Sequence, residues 1–331
     1  MKLLLLLAFL FIPTATMAQA KGLNFTEKEV HFYSGPGLRL AGVLSVPSTC
    51  SEKNRCPGIV MSHGPGGYKR PESAPKDTTM PGASNWLSRS GFITFRFAYR
   101  GVGASEGPAY RLIPMEQVED IQNAITFLQQ QIEVDASRIG LFGLATGGAN
   151  ASYVAGIDPR VKALVSANGM GDLGRWMREI RPYWAWLEFN KILDEDRANR
   201  VLTGSSRLLE QREIIVNDPM SQQYRAAAEA KNPDLKRIKN LLSLESAEAI
   251  AKFQPETVVK NISPRAAMWI CAEHDTLLPI DHSRRMYENA GEPKKLVILE
   301  GEEHHGLYQG EGFKKMMIHA NDWFMTHLMK K

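Results

Sequence analysis

GLFGLATGGANAS, residues 140–152, is the stretch that decides the fold. It continues a β-branched and aromatic run, RIGLFG (138–143), and leads into a small-residue segment containing Gly147, Gly148, Ala149 and Ala151. That is the setting of a sharp strand-to-helix turn. Gly143 and Gly147 stand two residues before and two after position 145, where such a turn leaves no room for side chains. Turns of the form Gly-x-Ser-x-Gly mount a nucleophile at their apex. Here the apex is Ala145, whose methyl cannot attack a carbonyl. Thr146 lies one position past the apex, where its expected contribution is a backbone N–H to an oxyanion hole.

Outward from this turn, Glu29 to Gly169 alternates short strand-like runs with amphipathic stretches, which predicts a parallel sheet with crossover helices. EVHFYS (29–34) and LRLAGVLSVP (38–47), separated by Gly35-Pro36-Gly37, read as an entry hairpin. Further strands are expected at GIVMSHG (58–64), FITFRFAYRG (92–101), RIGLFG (138–143) and VKALVSANG (161–169). Between the middle pair, Met115 to Gln131 carries Val118, Ile121, Ala124, Ile125 and Leu128 at helical spacing. Strand character returns at AAMWICAEHD (266–275) and KKLVILEG (294–301), and an amphipathic segment from Phe313 to Leu328 predicts a closing helix.

The fold class is therefore α/β, with a mostly parallel central sheet flanked by helices. The core covers residues 21–169 and 263–331. Residues 170–262, rich in charge, Trp, Leu and Ala, read as a helical cap inserted over the carboxyl ends of the strands, where open α/β sheets bind ligands. Trp176, Tyr183, Trp184, Trp186 and Phe189 fall in its first part. They either pack the cap onto the body or line an apolar pocket.

The 331 residues and 44% hydrophobic content suffice for one large core plus an appended cap. A net charge of +4 without a long Lys/Arg run argues against a nucleic-acid partner. Residues 1–20, MKLLLLLAFLFIPTATMAQA, place Lys2 before an apolar run and end in Ala18-Gln19-Ala20, the pattern of a cleaved export signal. The run is about half of the roughly 20 residues a membrane span needs. No stable membrane span is expected after cleavage, and the mature chain is expected in the periplasm or outside the cell. In that oxidising setting Cys50 and Cys56, flanking a short polar loop, are placed to form a disulfide, whereas Cys271 reads as a buried thiol.

Two partners for the turn occur in acyl-transfer order. AEHDTLLP (272–279) puts Asp275 just past one strand, and GEEHHGLY (301–308) puts His304 just past the last. An acid and then a base after the apex is the chain order of the Ser, Asp, His arrangement, with His304 as general base and Asp275 holding its tautomer. SHGPGGY (62–68) stands where a second oxyanion donor is expected. Pro65 has no N–H, so Gly66 or Gly67 would supply it. The sequence gives no metal-ligand spacing, and the glycine-rich turns lack Gly-x-Gly-x-x-Gly and the Lys-Ser/Thr of phosphate cradles. No metal or cofactor is expected.

Together HGPGG (63–67), AYRGVGASEGP (98–108), GLATGGANA (143–151), GIDPRVKALVS (156–166), EHDTLLP (273–279) and EEHHGLY (302–308) carry a resemblance that spans residues 38–331. The chain resembles the α/β-hydrolase superfamily, in particular its capped esterase, thioesterase and Xaa-Pro-peptidase-like members. It departs from them at Ala98, where the family often has Asp, and at Ala145. The resemblance implies Asp275 and His304 as triad members, Thr146 N–H as an oxyanion donor, a small-molecule or peptide-like substrate, and Ser at 145. Three functions compete: a nucleophile-disabled copy of a secreted serine hydrolase acting on an ester, thioester or amide; a pseudo-hydrolase binding a small apolar ligand under the cap; and non-covalent general-base catalysis by His304 and Asp275.

Overall fold

A computed structural model describes residues 22–64, 79–231 and 240–329. Residues 1–20, where an export signal is expected, and the Pro65, Gly66 and Gly67 positions lie outside the described residues. Eight strands form one sheet: β1 (Phe25–Ser34), β2 (Leu38–Pro47), β3 (Cys56–Ser62), β4 (Ile93–Phe97), β5 (Val134–Leu144), β6 (Val161–Ala167), then β9 (Ala266–Ala272) and β10 (Lys294–Leu299). Their spatial order is β1-β2-β4-β3-β5-β6-β9-β10. Among the described residues of this sheet, the antiparallel pairs are the β1–β2 hairpin and β2–β4. From β4 to β10 every neighbour is parallel. β3 and β9 are buried along their whole length, as strands covered on both faces must be. Successive residues therefore serve two apolar cores: Leu141, Leu164 and Trp269 face one, and Phe142, Val165 and Met268 the other.

Helices α2 (Pro114–Gln129) and α3 (Thr146–Ile157) cover the first face, while α1 (Thr79–Arg89) and α10 (Gly310–Phe324) cover the second. In α2 the predicted stripe Val118, Ile121, Ala124, Ile125 and Leu128 is buried. The strand expected over 92–101 stops at Phe97. Beyond it the backbone turns through Gly101 and Gly103 at positive φ, and the Arg100 N–H is taken by the Asp120 carboxylate instead of a neighbouring strand.

Between β6 and β9 lie α4 (Leu173–Glu179), α5 (Tyr183–Thr203), β7 (Leu208–Glu210), α6 (Gln211–Ile214), α7 (Pro219–Lys231), β8 (Leu241–Ser243) and α8 (Leu244–Ala251). The small antiparallel β7–β8 pair is absent from the helical reading of this segment. Three-residue strands are too short to show an alternation, and only their mutual pairing reveals them. The aromatic group of the insertion divides. Trp176 and Phe189 are buried and Trp186 packs beside them, whereas Tyr183 and Trp184 are exposed. Following β9, α9 (Asp281–Asn289) leads to β10. Cys50 and Cys56 are joined in a disulfide that closes the β2–β3 loop. Burial of Cys271 pushes its thiol pKa up to about 12, which leaves it unreactive. Among the described residues no helix is long and apolar enough to cross a membrane.

Candidate active site

The turn between β5 and α3 holds Ala145 at φ 52° and ψ −122°, a region L-residues rarely adopt. Its neighbours explain the glycines. A Cβ on Gly143 would overlap the Gly147 carbonyl, and one on Gly147 would overlap the Ser62 and His63 carbonyls. Gly64 stands against the apex, such that a Cβ there would lie 3.3 Å from the Ala145 methyl and 3.8 Å from Thr146 Oγ1. Ala145 N–H donates to the Ala167 carbonyl (2.9 Å), pinning the apex to the end of β6. Thr146 opens α3, so its N–H sits at the positive end of that helix.

A buried polar network lies beneath the turn. Ser62 Oγ donates to the Gly147 carbonyl (3.0 Å) and accepts from the Tyr99 hydroxyl, whose oxygen accepts from Asn150 Nδ2 (3.3 Å). Asn150 Nδ2 also reaches Gln117 Oε1 at 2.8 Å. Burial holds the Tyr99 phenol well above its usual range, so it stays neutral. Burial likewise lowers His63 to about 4, and its neutral ring donates from Nδ1 to the Gly64 carbonyl (2.7 Å).

Asp275 follows β9 and is buried together with His304. Its Oδ1 accepts the N–H groups of Leu277 (3.0 Å) and Leu278 (2.7 Å), and its Oδ2 faces His304 Nδ1 at 2.7 Å. A carboxylate so placed fixes the tautomer with hydrogen on Nδ1 and leaves a lone pair on Nε2. The Tyr308 hydroxyl stands 3.1 Å from that nitrogen. The acid and base loops are tied to each other by His274 N–H to the Glu302 carbonyl (2.9 Å) and Gly301 N–H to Glu273 Oε2 (2.8 Å).

Ala145, Asp275, His304 and Gly64 thus all follow the carboxyl ends of parallel strands, at the same end of the sheet. Asn168, at φ 47°, spaces them: its N–H donates to the Ile270 carbonyl (2.7 Å) and its Oδ1 accepts Ala272 N–H (3.1 Å). Of the residues singled out in the sequence, Asp275 and His304 are directly bonded, and Ala145 and Thr146 stand beside Gly64. Gly66 and Pro65 lie outside the described residues.

Sequence reasoning did not single out Asn168, Tyr308 or the contacts made by α7. Ser221 Oγ lies 3.1 Å from His305 Nε2, and the Tyr224 ring stacks on the His305 ring at 4.1 Å between centroids, nearly parallel. Thr276 Oγ1 donates to Asp218. Burial opposes ionisation of Asp218, but hydrogen bonds from Ser221 and Thr276 outweigh it and hold the carboxyl below its usual range. Burial, with His304 beside it, lowers His305.

The sequence pattern of the X-Pro dipeptidyl-peptidase (S15) family matches residues 36–306. A polyketide transferase from a Penicillium species is 28% identical over 283 residues, covering 83% of this chain and 88% of its own. A thiohydrolase from Aspergillus aculeatus is 26% identical over 311 residues, covering 88% of this chain and 91% of its own. Among solved structures, the α/β hydrolase GrgF from Penicillium superposes with a TM-score of 0.71 at 25% identity, over 92% of this chain and 100% of that one.

Proposed function

The chain belongs to the X-Pro dipeptidyl-peptidase (S15) family, an α/β-hydrolase fold, and from that premise we propose that it is an exported acyl-hydrolase scaffold for an ester, thioester or amide whose turnover is weak or absent because Ala145 fills the nucleophile position. The relatives named polyketide transferase and thiohydrolase favour an acyl thioester or ester of a small molecule over a peptide. His304 is the general base, Asp275 its orienting carboxylate, and Thr146 N–H an oxyanion donor joined by Gly66 N–H. Residues 170–262 serve as the cap under which the acyl group binds.

The observation that carries this reading is the backbone of Ala145. Holding an L-residue at φ 52° and ψ −122° costs roughly 1–3 kcal/mol, and a methyl at the apex gains nothing from it. Such strain has a purpose only where the apex side chain must be presented to a substrate. The hydrogen-bonded Asp275 and His304 supply the rest of that purpose.

The test is Ala145→Ser, assayed with short p-nitrophenyl esters and thioesters and with a serine-reactive phosphonate. The serine form should label covalently and hydrolyse faster than the unsubstituted chain by about a thousandfold or more. A serine form that neither labels nor hydrolyses sinks the proposal.

A further inference from the structure

We infer that Tyr308 extends the Asp275–His304 pair into a proton relay, so that the site activates water for attack on an acyl carbon without a nucleophilic side chain at the apex. The inference rests on the acyl-hydrolase reading above and adds a route for the turnover that Ala145 leaves. In a serine-bearing turn the apex hydroxyl is what His304 Nε2 would act upon, and the Ala145 methyl offers no hydrogen bond. The hydroxyl found on that nitrogen belongs to Tyr308, at 3.1 Å, with the two rings 5.2 Å apart.

The direction of the hydrogen bonds follows from the carboxylate. Asp275 Oδ2 can only accept, so His304 Nδ1 donates to it and Nε2 must accept. Tyr308 is therefore the donor, and its oxygen lone pairs are left to accept from a water molecule. Burial, with the Asp275 charge added, keeps the Tyr308 phenol protonated, which makes it a conduit for a proton and a poor nucleophile. Tyr308 is also held in place: its carbonyl accepts Thr79 Oγ1 (3.2 Å) at the start of α1, and His305, stacked on Tyr224, packs beside its ring.

The water oxygen bonds to the acyl carbon, a water proton passes to the phenol oxygen, and the phenol proton passes to Nε2. The carbonyl electrons become the oxyanion. On collapse, the bond to the leaving oxygen, sulfur or nitrogen breaks. The imidazolium proton returns through Tyr308 to the leaving group, giving the carboxylic acid and the free alcohol, thiol or amine.

The experiment compares hydrolysis of a p-nitrophenyl ester and a thioester by the unsubstituted chain, by Tyr308→Phe, and by both forms in the Ala145→Ser background. In the unsubstituted background Tyr308→Phe should lower kcat by at least about tenfold with little change in KM. In the serine background the loss should be clearly smaller, because the serine hydroxyl competes for Nε2. As a measurement free of any variant, the rate of the unsubstituted chain in mixed light and heavy water should curve with deuterium fraction, as two protons moving together require.

Absence of turnover above buffer, a linear deuterium dependence, an unchanged rate in Tyr308→Phe, or equal losses in both backgrounds each overturn the relay. The two proposals fail separately. An inert, unlabelled Ala145→Ser form rejects the acyl-hydrolase reading, whereas an active serine form beside a parent without turnover rejects only Tyr308.

Discussion

Gly147 is constrained by what crosses it. The carbonyls of Ser62, the last residue of β3, and of His63, which follows it, occupy the space a Cβ would need. Gly147→Ala should therefore lower the unfolding free energy by about 2 kcal/mol, the usual order for overpacking a rigid contact, read from urea denaturation midpoints. An unshifted midpoint would mean that β3 and α3 can separate at no cost. This constraint is local, and the Gly143 and Gly147 spacing announces it in the sequence without any knowledge of the third dimension. Tyr308 was not legible in the same way. It sits in a quoted motif, EEHHGLY, but its importance comes from Asp275 arriving from another strand end to fix which nitrogen of His304 remains open. Asn168 is similar: its left-handed backbone matters because its side chain bridges to β9.

At the scale of elements, strands buried on both faces were the most legible. β2 runs over Leu38–Pro47 as its apolar run predicts, while β4 ends at Phe97: Ala98 N–H still reaches the Ala41 carbonyl on β2, but Arg100 N–H turns away to the Asp120 carboxylate on α2. The insertion was legible as a change of composition, but its pairing was not, since β7 and β8 acquire strand character only from each other. Helix α7 lies against the base loop, held there by the Ser221–His305 bond, the Tyr224 stack and the Asp218–Thr276 link. An aromatic stack of this kind is worth about 1 kcal/mol beyond its burial. Tyr224→Ala should thus speed amide hydrogen exchange in Pro219–Lys231 by about fivefold, with exchange in β5 unaltered. Equal exchange in α7 would show that the stack does not hold the helix.

For the whole molecule, acid sensitivity follows from His63. Its folded pKa of about 4 lies below the ordinary 6.5, so as pH falls the unfolded chain takes the proton first. The stabilisation is complete above pH 6.5 and is lost as pH drops toward 4, in total about 3 kcal/mol at roughly 1.4 kcal/mol per unit. His63→Gln should flatten this dependence: between pH 7 and about 4.5 it should lose about 2 kcal/mol less than the unsubstituted chain. Parallel pH profiles would refute the assignment. The same histidine carbonyl braces Gly147, so fold stability and turn geometry share one residue. That sharing bears on inheritance. Alanine and serine codons differ at a single base, whereas the turn depends on Gly64, Gly143, Gly147, Ser62 and Asn168 together. A lineage that keeps this backbone keeps the hydroxyl one point mutation away, and can lose or regain it without ever rebuilding the fold around it.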